Sequence, residues 1–133
     1  VKSSSLVLAL STSFALTACA TLGTDEASPV QALSGTWNVD LRPSLTDAPY
    51  DQPMDLRVER TGELSGTFYG SPILAGRAGT GQGRLCAAWR TSDNSGAYQH
   101  SGCLEGDTIV GQSWSEGRNF VLPWTATRSI SGE

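Results

Sequence analysis

From Leu33 onward, apolar and polar side chains alternate in short runs, and turn residues interrupt them at intervals of roughly ten positions. Trp37, Val39 and Leu41 fall on one face of an extended segment, with Asn38, Asp40 and Arg42 on the other. Leu56 and Val58 oppose Asp55, Arg57 and Glu59 in the same way. Successive side chains of a strand point to opposite faces, so this pattern predicts strands with one dry and one wet face. Predicted strands are Gly35–Arg42, Met54–Arg60, Leu64–Gly70, Pro72–Ala78, Gly83–Thr91, Ala97–Leu104, Thr108–Ser115 and Asn119–Thr127. Between them lie Thr61-Gly62, Tyr69 to Pro72, Gly79 to Gly83, Asp93 to Gly96, Glu105 to Asp107 and Glu116-Gly117. The stretch Pro43–Pro53 is the one long connection. The expectation is an all-β fold, a small up-and-down antiparallel barrel of about eight strands, a number that closes around side chains or one small ligand. Closure would also remove the exposed edges of a free meander.

The N-terminal pattern differs. Lys2 precedes a short, largely apolar stretch, Leu6 to Leu16, that is shorter than the roughly 20 residues a spanning helix needs. It has the length of a signal-peptide core. Leu16-Thr17-Ala18-Cys19 then resembles the lipobox of bacterial lipoproteins. The resemblance implies cleavage before Cys19, diacylglycerol on its thiol and further acylation of its amine. Several acyl chains hold a protein on a membrane where one would not. The alternative is an ordinary signal peptide cut at Ala18-Cys19-Ala20. Ala20, in place of the aspartate associated with inner-membrane retention, implies an outer-membrane anchor facing the periplasm. The expected organisation is a signal peptide (1–18), a lipidated tether (19–33), a β-barrel domain (34–128) and a short tail (129–133). Small, polar and acidic residues with Pro29 suit the tether.

Cys86 and Cys103 are equidistant from the centre of Asp93-Asn94-Ser95-Gly96. A two- or four-residue turn there opposes them across a hairpin. Opposed residues in a non-hydrogen-bonded pair have Cα atoms about 4.5 Å apart, within disulfide range. An oxidising periplasm favours the bond. Two buried thiols are the alternative, and a metal site would have to be built around a single histidine. The same register opposes Trp89 to His100, Leu85 to Leu104 and Thr91 to Tyr98 on the other face. His100 beside Trp89 reads either as a pocket lining or as a satisfied, partly exposed residue near the barrel mouth.

The opening Leu33-Ser34-Gly35-Thr36-Trp37 recurs as Leu64-Ser65-Gly66-Thr67-Phe68. With Ala88-Trp89, Trp114 and Trp124, this order of motifs resembles the avidins, and more broadly the lipocalin-containing calycin superfamily. The resemblance implies an eight-stranded barrel, with Trp89, Trp114 and Trp124 against the apolar part of a ligand. The polar set of the avidins has a different form here. Phe68 stands where the family has a tyrosine hydroxyl, Asn38 falls on the opposite face from Trp37, and no aspartate lies near Trp124. A site without its buried polar partners loses specific recognition, so biotin is not the expected ligand.

Composition narrows the function classes. A chain of 133 residues with net charge −4 and thinly spread cations carries no nucleic-acid footprint. Gly79-x-Gly81-x-Gly83 lacks the lysine and the helix of a phosphate loop. A single histidine and no Ser–His–acid or paired-carboxylate pattern point away from an enzyme. No cofactor is expected. The expectation is a non-catalytic binding module for a small apolar or amphipathic ligand, with Trp37, Phe68, Trp89, His100 and Trp124 as candidate lining. Small inner residues, Gly66, Ala87 and Gly102, would make the room for it. The alternative is a protein-interaction or inhibitor role against an envelope protein, through loops such as Pro43–Pro53.

Overall fold

The computed structural model describes residues 26–130, together with Ser3, Ser13 and residues 15–18. Cys19, most of the expected signal peptide and the tether up to residue 25 lie outside the described residues.

Nine strands form one antiparallel sheet: β1 (Gly35–Asp40), β2 (Asp51–Val58), β3 (Leu64–Phe68), β4 (Ser71–Pro72), β5 (Ala75–Gly81), β6 (Arg84–Asp93), β7 (Gly96–Glu105), β8 (Thr108–Ser115) and β9 (Phe120–Arg128). Their spatial order is β4-β3-β2-β1-β9-β8-β7-β6-β5, so every pairing except β1 with β9 is a hairpin between chain neighbours. The sheet is curled and open. Its two end strands, β4 and β5, are consecutive in the chain, and the link between them touches both ends of the sheet. Ile73 donates its N–H to Gly66 O on β3 and Leu74 donates to Arg90 O on β6, each at 2.9 Å. Elsewhere the ends meet at one isolated bridge, Glu63 with Arg77, rather than along a ladder.

The expected fourth strand, Pro72–Ala78, is therefore two strands. Pro72 has no N–H to give, and Ile73 and Leu74 send theirs to different strands, so pairing cannot run through. The expected count of about eight becomes nine for this reason. The expected Gly79–Gly83 turn is also shorter: residues 79–81 continue β5, and the reversal is Gln82-Gly83 with φ of +51° and +72°. Paired positive φ values match the twist of flanking strands and favour glycine. The long connection ends at Asp51, where β2 begins.

Alternation works as expected on the best-patterned strands. Trp37, Val39 and Leu41 are buried, as are Met54, Leu56 and Val58, while Arg57 is exposed. One end of the curl is stoppered by a turn of 3-10 helix, Pro29–Leu33, which the sequence had suggested as the end of the tether. Leu33 is 1% exposed, and its carbonyl accepts the Trp37 Nε1–H at 3.0 Å. Arg128 lies 4.3 Å from the centre of the Trp37 ring and donates to Ser34 O and Ala32 O. Burying side chains of this size contributes about 1.5–3 kcal/mol each, which favours ordering a segment that looked like linker.

Register also decides where the glycines go. Gly111 pairs with Trp124 on one side and with Gly102 on the other. A Cβ on Gly111 would lie 2.4 Å from the Trp124 ring, and one on Gly102 would lie 3.2 Å from it. The indole thus fills the space that the two glycines leave. At Gly66 (φ +130°) a Cβ would lie 1.9 Å from Asp55 O, so that glycine serves a close backbone approach. The small inner residues do not hollow out the middle of the sheet, contrary to expectation. Large neighbours occupy the volume.

Cys86 and Cys103 are directly opposed and form a disulfide, with Cα atoms 4.0 Å apart. Inward positions of this hairpin are Ala87, Trp89 and Thr91, so the disulfide sits on the outer face.

Candidate functional site: the mouth of the curled sheet

At the end away from the 3-10 helix, the sheet opens on a cavity of about 310 Å³. That is the lower end of the range for small-molecule sites. Its walls come from Leu41, just after β1, and from the adjoining ends of β3, β6, β7, β8 and β9. Phe68, Leu122 and Phe120 are the apolar part, and Thr91, His100 and Ser113 form a polar floor. Tyr50, Tyr69, Ser71, Tyr98, Asp93 and Arg118 complete the lining. Two larger depressions lie on the outer face, lined by residues such as Arg77, Ala88 and Gln99; they are shallow and open to solvent.

His100 organises the floor. It is 3% exposed, with Nδ1 2.7 Å from Ser113 Oγ and Nε2 2.9 Å from Thr91 Oγ1. Trp124 Nε1–H donates to the same Ser113 oxygen at 2.8 Å. A neutral imidazole donates from one nitrogen and accepts at the other. With hydrogen on Nε2, Ser113 accepts from Trp124 and donates to Nδ1, and Nε2–H donates to Thr91. That arrangement uses both roles of the Ser113 hydroxyl and leaves the Thr91 hydrogen for a group in the cavity. Burial away from water disfavours the imidazolium and holds the His100 pKa down at about 4. The ring is therefore neutral at pH 7.

Ser113 and His100 are close enough for proton transfer, but the geometry is poor for nucleophilic catalysis. Both imidazole nitrogens are occupied by hydroxyls, so no carboxylate orients the ring. The Trp124 N–H also withdraws electron density from the serine oxygen. A fixed hydrogen-bonding surface is what the set provides. Among the described residues no group of His, Cys, Asp and Glu side chains could hold a metal ion.

Of the residues expected at a site, the structure brings Phe68, Trp89, His100 and Trp124 together. The Phe68 ring is tilted, its centre 4.3 Å from that of His100 and 5.8 Å from those of both Trp89 and Trp124, and Trp89 stacks on His100 at 5.6 Å. Only Phe68 and His100 of this cluster line the mouth. Trp89 and Trp124 pack beneath, and Trp89 Nε1–H is buried with no hydrogen-bond partner among the described residues. Trp37 belongs to the stoppered end, against Leu33 and Arg128. Trp114, which the avidin resemblance placed against a ligand, is 45% exposed on the outer face opposite Val121. His100, for which a partly exposed position was one reading, is buried at the cavity floor. Cys19 lies outside the described residues.

Sequence reasoning missed Ser113 and Thr91 as partners of His100. The signal was present. Gly106-Asp107 is a turn, Glu105 pairs with Thr108, and the same count places Ser113 opposite His100. The rim residues Arg118 and Phe120 were missed because they depend on how the sheet curls.

No family model matches the chain, and no curated protein or solved structure matches it. The functional reading therefore rests on the mouth itself.

Proposed function

We propose that this chain is a non-catalytic binding module, a small calycin-like barrel whose mouth holds one small amphipathic molecule. In this reading Cys19 carries the lipid that anchors it, by way of the tether, to the periplasmic side of the outer membrane. The supporting observation is the cavity of about 310 Å³, apolar on its Phe68, Phe120 and Leu122 walls and polar at the Thr91, His100 and Ser113 floor. Such a lining suits a ligand with an apolar body and a polar tip. It does not suit a plain hydrocarbon, which would leave the Thr91 hydroxyl hydrogen buried without a partner.

The test uses the neutral probe N-phenyl-1-naphthylamine with the lipid-free domain. Saturable one-to-one fluorescence enhancement is expected, and Leu122→Trp, which fills the mouth, should weaken it about tenfold. A folded domain that gives no enhancement overturns the reading. Lipidation is tested separately: labelled palmitate should enter the wild type and not Cys19→Ser.

A further inference from the structure

We propose that the ligand of the mouth carries an anionic group, seated on Arg118 at the rim above an apolar ring system; this rests on the reading of the mouth as a small-molecule site. Arg118 is the one cationic side chain among the described residues lining the cavity, since burial keeps His100 neutral. It has no ion pair among the described residues, where the Arg42–Asp40 pair at 2.7 Å lies in a different loop.

Local structure fixes its position. Arg118 follows Gly117 in the turn between β8 and β9, and its backbone N–H donates to Ser115 Oγ at 3.2 Å. A Cβ on Gly117 would lie 2.1 Å from Ser95 O, so this turn is pressed against the turn between β6 and β7. Asn119, with φ +55°, then returns the chain into β9. The result sets the guanidinium 5.0 Å from the centre of the Phe120 ring, itself a wall of the cavity. Stacking on an aromatic face restrains the charge while leaving the N–H fork free for a planar acceptor such as a carboxylate.

The neighbouring groups on the rim do not compete for that role. Asp93 also lines the mouth, but its Oδ1 accepts the Ser95 N–H at 2.7 Å and so belongs to its own turn. The Tyr50 and Tyr69 hydroxyls are bonded to each other. That hydrogen bond is the main reason the Tyr69 pKa is raised, while the charge of Arg118 acts in the opposite direction, which places the guanidinium's field at the rim. Below it, Phe68 and Phe120 line the cavity as apolar walls for a ring system, and the Thr91 hydroxyl can meet a polar tip.

Three ligands sharing one ring system test this: 2-naphthoate, 2-naphthalenemethanol and 2-naphthalenemethylamine, titrated calorimetrically against the lipid-free domain. Naphthoate should bind about tenfold tighter than the alcohol at low salt, and that margin should shrink as salt is raised. Arg118→Gln should weaken naphthoate about tenfold more than it weakens the alcohol, with Arg118→Lys intermediate because an ammonium lacks the planar fork. Equal binding of acid and alcohol would overturn the inference and leave the mouth reading intact. Tighter binding of the amine, lost in Asp93→Asn, would assign the rim to the carboxylate and overturn it as well. If none of the three binds to folded protein, inference and mouth reading fall together.

Discussion

Acidification should destabilise this protein through one buried side chain. His100 is the chain's single histidine, and in the folded state burial lowers its pKa from 6.5 to about 4. Between those two values the unfolded chain binds a proton that the native protein refuses. Native stability is therefore fully present above pH 6.5 and falls as pH drops toward 4. Each unit costs about 1.4 kcal/mol, so a shift of this size removes at most about 3 kcal/mol across the window. The ring has no carboxylate to stabilise its charge. If it were protonated, Ser113 Oγ would have to accept from both His100 and Trp124. Because there is only one histidine, its Cε1–H resonance needs no assignment. The proton signal should titrate near pH 4 in folded protein and near 6.5 in urea. Urea unfolding of wild type and His100→Gln at several pH values supplies the energy. The gap between them should close by about 3 kcal/mol from pH 7 to 4, and carboxylate titrations common to both cancel. A midpoint near 6.5 in the folded state would refute the reasoning.

Two further outcomes follow from the same core. Trp124→Phe breaks a hydrogen bond to Ser113 worth about 1 kcal/mol, whereas Trp89→Phe removes a buried donor whose lack of a partner costs about 1–3 kcal/mol. Urea melts should therefore show Trp124→Phe as the more damaging by about 2 kcal/mol or more, and equal losses would contradict the hydrogen bonding described here. On the outer face, replacing Cys86 and Cys103 by serine opens a loop spanning 17 positions and should lower stability by about 3 kcal/mol, read from thermal melts with and without reductant. A reductant-insensitive melting temperature in the wild type would count against a structural role for the bond.

Much of the sheet was legible because strand pairing is arithmetic once a turn is located. The turn at Asp93–Gly96 fixes Cys86 opposite Cys103 and Trp89 opposite His100, and the turn at Gly106-Asp107 carries the count on to Ser113. By parity Trp114 then faces outward, against the avidin resemblance. The split at Pro72 was less visible. Proline marks a break in pairing, but the sequence does not say that the next two amides reach different strands. The turn from Glu116 to Asn119 has no such simple rule either, since a left-handed Asn119 and the contact of Gly117 with Ser95 set its shape. Arg118 and Phe120 therefore reach the rim through tertiary structure that no local pattern encodes. The 3-10 helix was hidden for a related reason. Its composition is that of a linker, and only the shape of the Trp37 end makes burial of Val30 and Leu33 worthwhile.

Whether the interior is hollow was the question that pattern alone could not answer, because it depends on volumes matched across strands. Gly102 and Gly111 looked like space until register placed the Trp124 indole over them. Below the level of His100 the curl is solid, closed by aromatic rings and then by Leu33. Above it the packing gives way to the cavity, where polar side chains such as Thr91, Ser113 and Asp93 join Phe68, Phe120 and Leu122 in the lining. The boundary is drawn by hydrogen bonds rather than by size. Trp124, Ser113, His100 and Thr91 satisfy one another in a chain, so the polar atoms at the top of the core incur little desolvation penalty and hold fixed directions. A floor of that kind does not rearrange to suit an arbitrary occupant. In the binding reading proposed above, such a floor would select a ligand whose polar tip matches Thr91 and whose charge reaches Arg118.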